Sequence, residues 1–215
     1  MASDRTYQRN RAGGGRLENV SGALLVRRFS VRQPEMFRVV EAVSAQRLTS
    51  IEKAALCELA QTVMDIEYEG LEGDFLQAGC GLGGAAIVIA HAKRRSRSLV
   101  VHDPFDAGAD AESRARRELA AHGADERLNV QVVPGLYEET LASDGSLALA
   151  HLDCGEYGPM RLLLERLAPR LVPGGTLIVD EYRIQEECRR AVDEYFRGKK
   201  GFQLVRKSRL HVIKN

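Results

Sequence analysis

Apolar and polar positions change rhythm near residue 74. Upstream, Ile51, Ala55, Leu59, Val63 and Ile66 recur at intervals of three and four, the spacing of one face of an amphipathic helix. A helix is therefore predicted over 51–66, opened by Thr49 or Ser50 as N-cap. A shorter helix is predicted over 16–29, and Pro34 breaks whatever precedes it. Downstream, short apolar runs alternate with helical segments. Strands are predicted at 74–79, 98–103, 127–133, 147–153 and 174–181. Helices are predicted at 83–95, 109–123, 158–171 and 184–198, with a short one over 135–143. Residues 201–215 read as two strands around Arg206-Lys207-Ser208. Strands alternating with helices predict an α/β fold, a parallel sheet covered on both faces. The terminal hairpin adds an antiparallel strand. The expected division is a flexible or helical extension, 1–47, and one domain, 48–215, with no repeat.

Composition changes this picture little. The chain has 215 residues, 44% hydrophobic and 28% charged, with a net charge of +1, so nothing calls for nucleic acid or an anionic membrane. Residues 1–50 do carry nine arginines against four acids. They are not interleaved with stacking aromatics, so this stretch reads as a solvated arm, disordered over residues 1–15, and no nucleic-acid partner is expected. No apolar run reaches the roughly 18 residues of a membrane-spanning helix, and the first fifteen residues lack the apolar stretch of a signal peptide. Cys57, Cys80, Cys154 and Cys188 form no C-x-x-C pair, which suggests reduced thiols in a cytoplasmic protein.

The segment Gln77-Ala78-Gly79-Cys80-Gly81-Leu82-Gly83-Gly84 joins the first predicted strand to the first predicted helix. Glycines there let the backbone turn sharply and approach a ligand, and the helix behind offers free N–H groups to it. Asp103 ends the second strand, where a carboxylate can accept from ribose hydroxyls. The same features fit a tight turn or a nicotinamide site. The spacing G-x-G-x-G and the lack of a separate substrate domain favour S-adenosylmethionine.

Asp153 closes the fourth strand, and Asp180 and Glu181 the fifth, on the same rim. Three converging carboxylates repel one another unless neutralised, and oxygen donors suit magnesium or calcium. A magnesium ion there would acidify a substrate hydroxyl. The plainer readings are a turn residue for Asp153 and an acidic start to the next helix for Asp180-Glu181. Glu156 is a second candidate for the base. His91 is expected to pack inside its helix. His102 and His151 are expected to pack in the sheet, pointing away from the acids that follow them. Cys80 is expected to serve the turn.

LEGDFLQAGCGLGGAAIVIA resembles the first motif of the macrocin O-methyltransferase-like family, class I S-adenosylmethionine-dependent enzymes that methylate sugar and other hydroxyls of natural products. LTSIEKAALCELA, VVHDPFDAG, VQVVPGLYEETL and HLDCGEYGPMRLLLERLAPRLVPGGTLIVDEY resemble further family segments in order, covering roughly 48–182. The resemblance implies a Rossmann-like seven-stranded sheet, S-adenosylmethionine, often magnesium, and a small-molecule acceptor, and it is consistent with a homodimer. It implies that Gly79, Gly81 and Gly83 wrap the methionine part, that Asp103 binds the ribose, and that Gly135 and Leu136 border the adenine. Gln77 and Ser50 complete the expected cofactor contacts. The resemblance also implies that Asp153, Asp180 and Glu181 stand at the metal positions, with Asp153 or Glu156 expected as base. Three departures stand out: Gln77 replaces a usual acid, Gly155 replaces an aspartate, and Asp180-Glu181 replaces paired aspartates. The expected function is O-methylation of a hydroxyl of a small natural product, a sugar being one such acceptor. Metal-free N- or carboxyl-methylation and a non-catalytic cofactor-binding subunit are the alternatives.

Overall fold

The computed structural model describes residues 14–141 and 145–215, with side chains from residue 22. The arm at 1–13 and the end of the short helix predicted over 135–143 lie outside the described residues. Gly14 and Gly15, expected to be disordered, instead begin helix α1, Gly14–Arg32. Pro34 does end α1, but it also opens α2, Pro34–Ala45, from the first turn, where a fixed φ and a missing N–H cost nothing. Met36, Val40 and Val43 of α2 are buried. Helix α3 spans Lys53–Tyr68, with Glu52 rather than Thr49 or Ser50 at the N-cap position and no side-chain capping bond there; Thr49 Oγ1 instead accepts from Ile51 N at 3.1 Å.

The sheet is built from β1 (Asp74–Ala78), β2 (Leu99–Asp103), β3 (Val130–Pro134), β4 (Leu147–Leu152), β5 (Leu171–Val179), β6 (Phe202–Arg206) and β7 (Leu210–Lys214), in the order β3-β2-β1-β4-β5-β7-β6. The first five pair in parallel. Strand β7 inserts antiparallel between β5 and β6. The predicted strand at 127–133 begins later than expected: the Asp125 carboxylate accepts from Arg127 N and closes a 3-10 turn over Glu126–Leu128, and Asn129 is left-handed.

Helices α4 (Gly84–Ala92), α5 (Ala111–Ala121), α6 (Tyr137–Thr140), α7 (Tyr157–Leu167) and α8 (Glu186–Phe196) complete the fold. Two apolar cores result. One gathers α2, α3 and α4 on one face of the sheet, and the other gathers α7 and α8 on the opposite face. Helix α4 is buried from Gly84 to Ala90, which explains why its sequence is apolar all round rather than striped. Each of Ile87, Val88 and Ile89, fully buried, contributes about 1.5–3 kcal/mol.

Arg97 ties α3 to the start of β1. It is buried, with Nε 2.7 Å from Glu67 Oε1 and Nη2 3.0 Å from Glu67 Oε2. It also donates to the carbonyls of Leu71 and Gly73, and its guanidinium lies 4.7 Å from the Phe75 ring centre.

Strand order reverses between β1 and β4, and in open α/β sheets a ligand crevice forms outside the carboxyl ends at such a point. Gly79 and Asp153 lie there.

Candidate active site at the carboxyl ends of the strands

Backbone ladders bring the predicted residues to one rim. Gly79 N donates to His102 O at 2.9 Å, Asp153 N to Ala78 O at 2.8 Å, and Asp180 N to Leu152 O at 3.0 Å. The ends of β2, β1, β4 and β5 are thereby held side by side.

Gly79, Gly81 and Gly83 have φ of 90°, 53° and 91°, the region that glycine enters without strain. Closeness adds a second reason at Gly79, where a Cβ would stand 2.1 Å from Asp153 O. Gly81 is the opposite case: a Cβ there would meet nothing within 4 Å. The loop thus leans on β4 at one glycine and presents bare backbone to open space at the next, a cradle suited to the methionine part of S-adenosylmethionine. Gly83 N donates to Cys80 O at 2.8 Å, closing the turn into α4.

Asp103 lies beside this cradle. Its Oδ2 accepts from the amides of Cys80 and Gly81, and its Oδ1 from Phe105 N at 2.6 Å. The carboxylate that would take the ribose therefore braces the glycine loop in the same structure. Gly135 N donates to the Asp103 carbonyl at 3.1 Å, which brings Gly135 and the exposed Leu136 to the same edge. Exposed Ser50 lies two residues from Leu48, whose carbonyl accepts from Gly84 N at 3.2 Å. Gln77 is buried; its Nε2 donates to Gly79 O at 2.7 Å, and its Oε1 has no partner. Its carboxamide holds the loop from beneath.

The carboxylates divide into different environments. Asp153 is partly buried; burial and the neighbouring Asp180 carboxylate push it up to about 6. Asp180 is 3% exposed. Burial pulls Asp180 upward, but His151 and Arg209 overcome this and hold it below the usual carboxylate range. Its Oδ1 accepts from Arg209 Nε at 2.8 Å, and its Oδ2 faces His151 Nε2 at 3.2 Å. Glu181 begins a 3-10 turn, Glu181–Arg183. Glu156 is exposed at the start of α7. Among the described residues no group of three or more His, Cys, Asp or Glu side chains is placed to hold a metal ion. Of the three acids expected to hold a metal, Asp153, Asp180 and Glu181, Asp180 is already matched by a cation of the chain itself, Arg209.

Two of the histidines, His151 and His91, also depart from expectation. His151 is not a plain packing residue. It shares a face with Asp153, two positions on along the strand, and reaches Asp180. His91 is exposed rather than packed, with Nε2 2.7 Å from the His122 carbonyl. His102 is buried in the sheet, 3.2 Å from Thr140 Oγ1; burial lowers it to about 4. Cys80 is buried, and burial raises its thiol to about 12, in keeping with a turn residue. Arg209 carried no local sequence signal, since only the β5–β7 register brings it to the site.

A family model described as macrocin O-methyltransferase (TylF) matches residues 111–205. The 8-demethyl-8-(2,3-dimethoxy-alpha-L-rhamnosyl)-tetracenomycin-C 4'-O-methyltransferase of Streptomyces olivaceus is 31% identical over 175 residues, 68% of this chain and 66% of that protein. The mycinamicin III 3''-O-methyltransferase of Micromonospora griseorubida is 30% identical over 179 residues, 68% of this chain and 69% of that protein. The chain thus spans about two thirds of the length of these relatives. The solved structure of the O-methyltransferase NovP aligns with a TM-score of 0.61 at 28% identity, over 78% of this chain and 81% of that one. With this fold, glycine loop and rim, the chain belongs to the macrocin O-methyltransferase family of S-adenosylmethionine-dependent enzymes.

Proposed function

We propose that the protein transfers a methyl group from S-adenosylmethionine to a hydroxyl of a small natural product, with a sugar hydroxyl as the preferred acceptor class. The observation that carries the reading is the meeting of Asp153 with Gly79. The backbone carbonyl of Asp153 packs on Gly79, so its carboxylate, pushed up to about 6, branches from the chain beside the glycine loop, where sulfonium and acceptor would have to meet. Relatives named for O-methylation of a rhamnosyl-bearing tetracenomycin and of mycinamicin III support the acceptor class.

When bound, S-adenosylmethionine supplies an electrophilic methyl group on sulfur. The acceptor oxygen forms the new C–O bond as the C–S bond breaks in line, leaving S-adenosylhomocysteine. The left-handed glycines hold the backbone close to the methionine part, and Asp103 steadies that loop. Asp153, ionised above pH 6, takes the hydroxyl proton on its carboxylate oxygen. Alignment of the three reacting atoms supplies most of the acceleration. No step is routed through magnesium, because the donor set does not fit it.

Calorimetric titration of the full chain with S-adenosylmethionine, with NADH as control, tests the cofactor. A panel of glycosides with free sugar hydroxyls, read by release of S-adenosylhomocysteine, then tests the acceptor. Binding of NADH in place of S-adenosylmethionine would refute the reading at its first step.

A further inference from the structure

The mechanism above leaves the guanidinium of Arg209 unused. Arg209 immediately precedes β7, whose Leu210 stands opposite Val179 of β5. That register delivers the arginine to Asp180, the residue after Val179. The Arg209 and Asp180 side chains are 13% and 4% exposed. Nε donates to Asp180 Oδ1 at 2.8 Å, a charge-assisted bond in a dry setting. The arginine is itself braced. Its Nη1 donates to Ser208 O at 3.2 Å, and Ser208 donates through both N and Oγ to Glu58 Oε2 on α3.

A divalent ion at this rim would need carboxylate oxygens. One of the three candidate carboxylates is already committed to a fixed cation, which would also repel an incoming ion at short range. Guanidinium stays protonated at any working pH, so the conflict does not lift with pH. Asp153 and Glu181 remain as the uncommitted acids of the expected set.

We propose that Arg209 is the resident counter-cation of the strand-end carboxylates, and that this site works without a divalent metal ion. The inference rests on reading the Asp153 rim as the acceptor site. Arg209 acts as a positioning residue: it holds Asp180 away from the acceptor and leaves Asp153 as the carboxylate that faces it.

The test is a titration of the full chain with Mn²⁺, followed by electron paramagnetic resonance, with Mg²⁺ as competitor. S-adenosylhomocysteine binding is measured on the same samples by calorimetry. The wild type is expected to show no stoichiometric Mn²⁺ binding at millimolar free ion. One Mn²⁺ bound per chain, displaced by Mg²⁺ and lost in Asp180→Asn, would overturn the proposal. Arg209→Met is expected to bind Mn²⁺ about tenfold more tightly than wild type or better, since one unit of nearby positive charge is removed; equal affinity would overturn the role given to Arg209. Should Arg209→Met fail to fold, the wild-type titration decides alone. Bound S-adenosylhomocysteine together with bound Mn²⁺ would sink this inference only, whereas absent S-adenosylhomocysteine binding would sink the functional reading beneath it.

Discussion

Gly79 and Gly81 make a matched pair of perturbations, because alanine at each meets opposite surroundings. At Gly79 the new Cβ would lie 2.1 Å from Asp153 O, at a φ of +90°. An ordinary contact would need more than an ångström of additional separation, and the atom in the way is backbone. Left-handed strain costs about 1–3 kcal/mol, and forced repacking about 1–3 kcal/mol more. A loss of roughly 3 kcal/mol lowers the melting temperature of a chain this size by about 6–12 °C. At Gly81 φ is +53° with nothing within 4 Å, so only the left-handed cost of about 1–2 kcal/mol applies. Gly81→Ala should therefore melt about 2–8 °C below wild type, less than Gly79→Ala. Its methyl group, however, enters the space assigned to the methionine part of the cofactor. Affinity for S-adenosylhomocysteine should fall about tenfold or more, the effect of 1.4 kcal/mol. Thermal melts and calorimetry on both variants read the two effects separately. Wild-type affinity in a well-folded Gly81→Ala would show that the open space over the loop is not where the cofactor lies.

Three further outcomes follow from the same geometry. Arg97→Met removes one partner of a buried pair with Glu67 and frees two carbonyls, and should cost about 3–5 kcal/mol; a chemical denaturation midpoint unchanged from wild type would contradict the anchoring role. With Asp153 as base at a pKa of about 6, log kcat/KM should rise with unit slope below pH 6 and level above it. Asp153→Asn should lose about 10²–10⁴ in kcat, and survival of that limb in the variant would assign the proton to another group. His102, held near 4 by burial, stays neutral in the fold while the unfolded chain protonates near 6.5, so stability falls as pH drops from about 6.5 to 4. The full loss is about 3 kcal/mol, and His102→Gln should show a shallower decline in melting temperature over that interval.

The strands and the helices between them were legible because their patterns are local. The run from 74 to 103 announces β1, the glycine loop, α4 and β2 through apolar length and glycine spacing alone. Helix α2 was equally legible, since Met36, Val40 and Val43 recur at helical spacing behind a proline at the first turn; reading Pro34 only as a breaker hid it. His151 was mispointed by comparing it with its immediate neighbour rather than with Asp153, two residues on. Arg209 belongs to a different class. Its partner Asp180 is 29 residues away, and only the insertion of β7 beside β5 joins them, so no window of sequence holds the information. The three acids are legible as a set in the sequence, but the cation that answers one of them is not.

Strand β7 lies between β5 and β6, although it follows β6 in the chain. During synthesis β6 therefore emerges before its native partner β7, and that pairing waits until residues 210–214 have left the ribosome. Arg209 reaches Asp180 in the same event. Until then a negative charge near the core lacks its guanidinium partner, so the nascent sheet carries an exposed edge and an electrostatic defect together. Closing both at once makes the last pairing the step that commits the whole rim. A lesion in this hairpin should then show itself as poor yield of native protein, ahead of any defect in turnover.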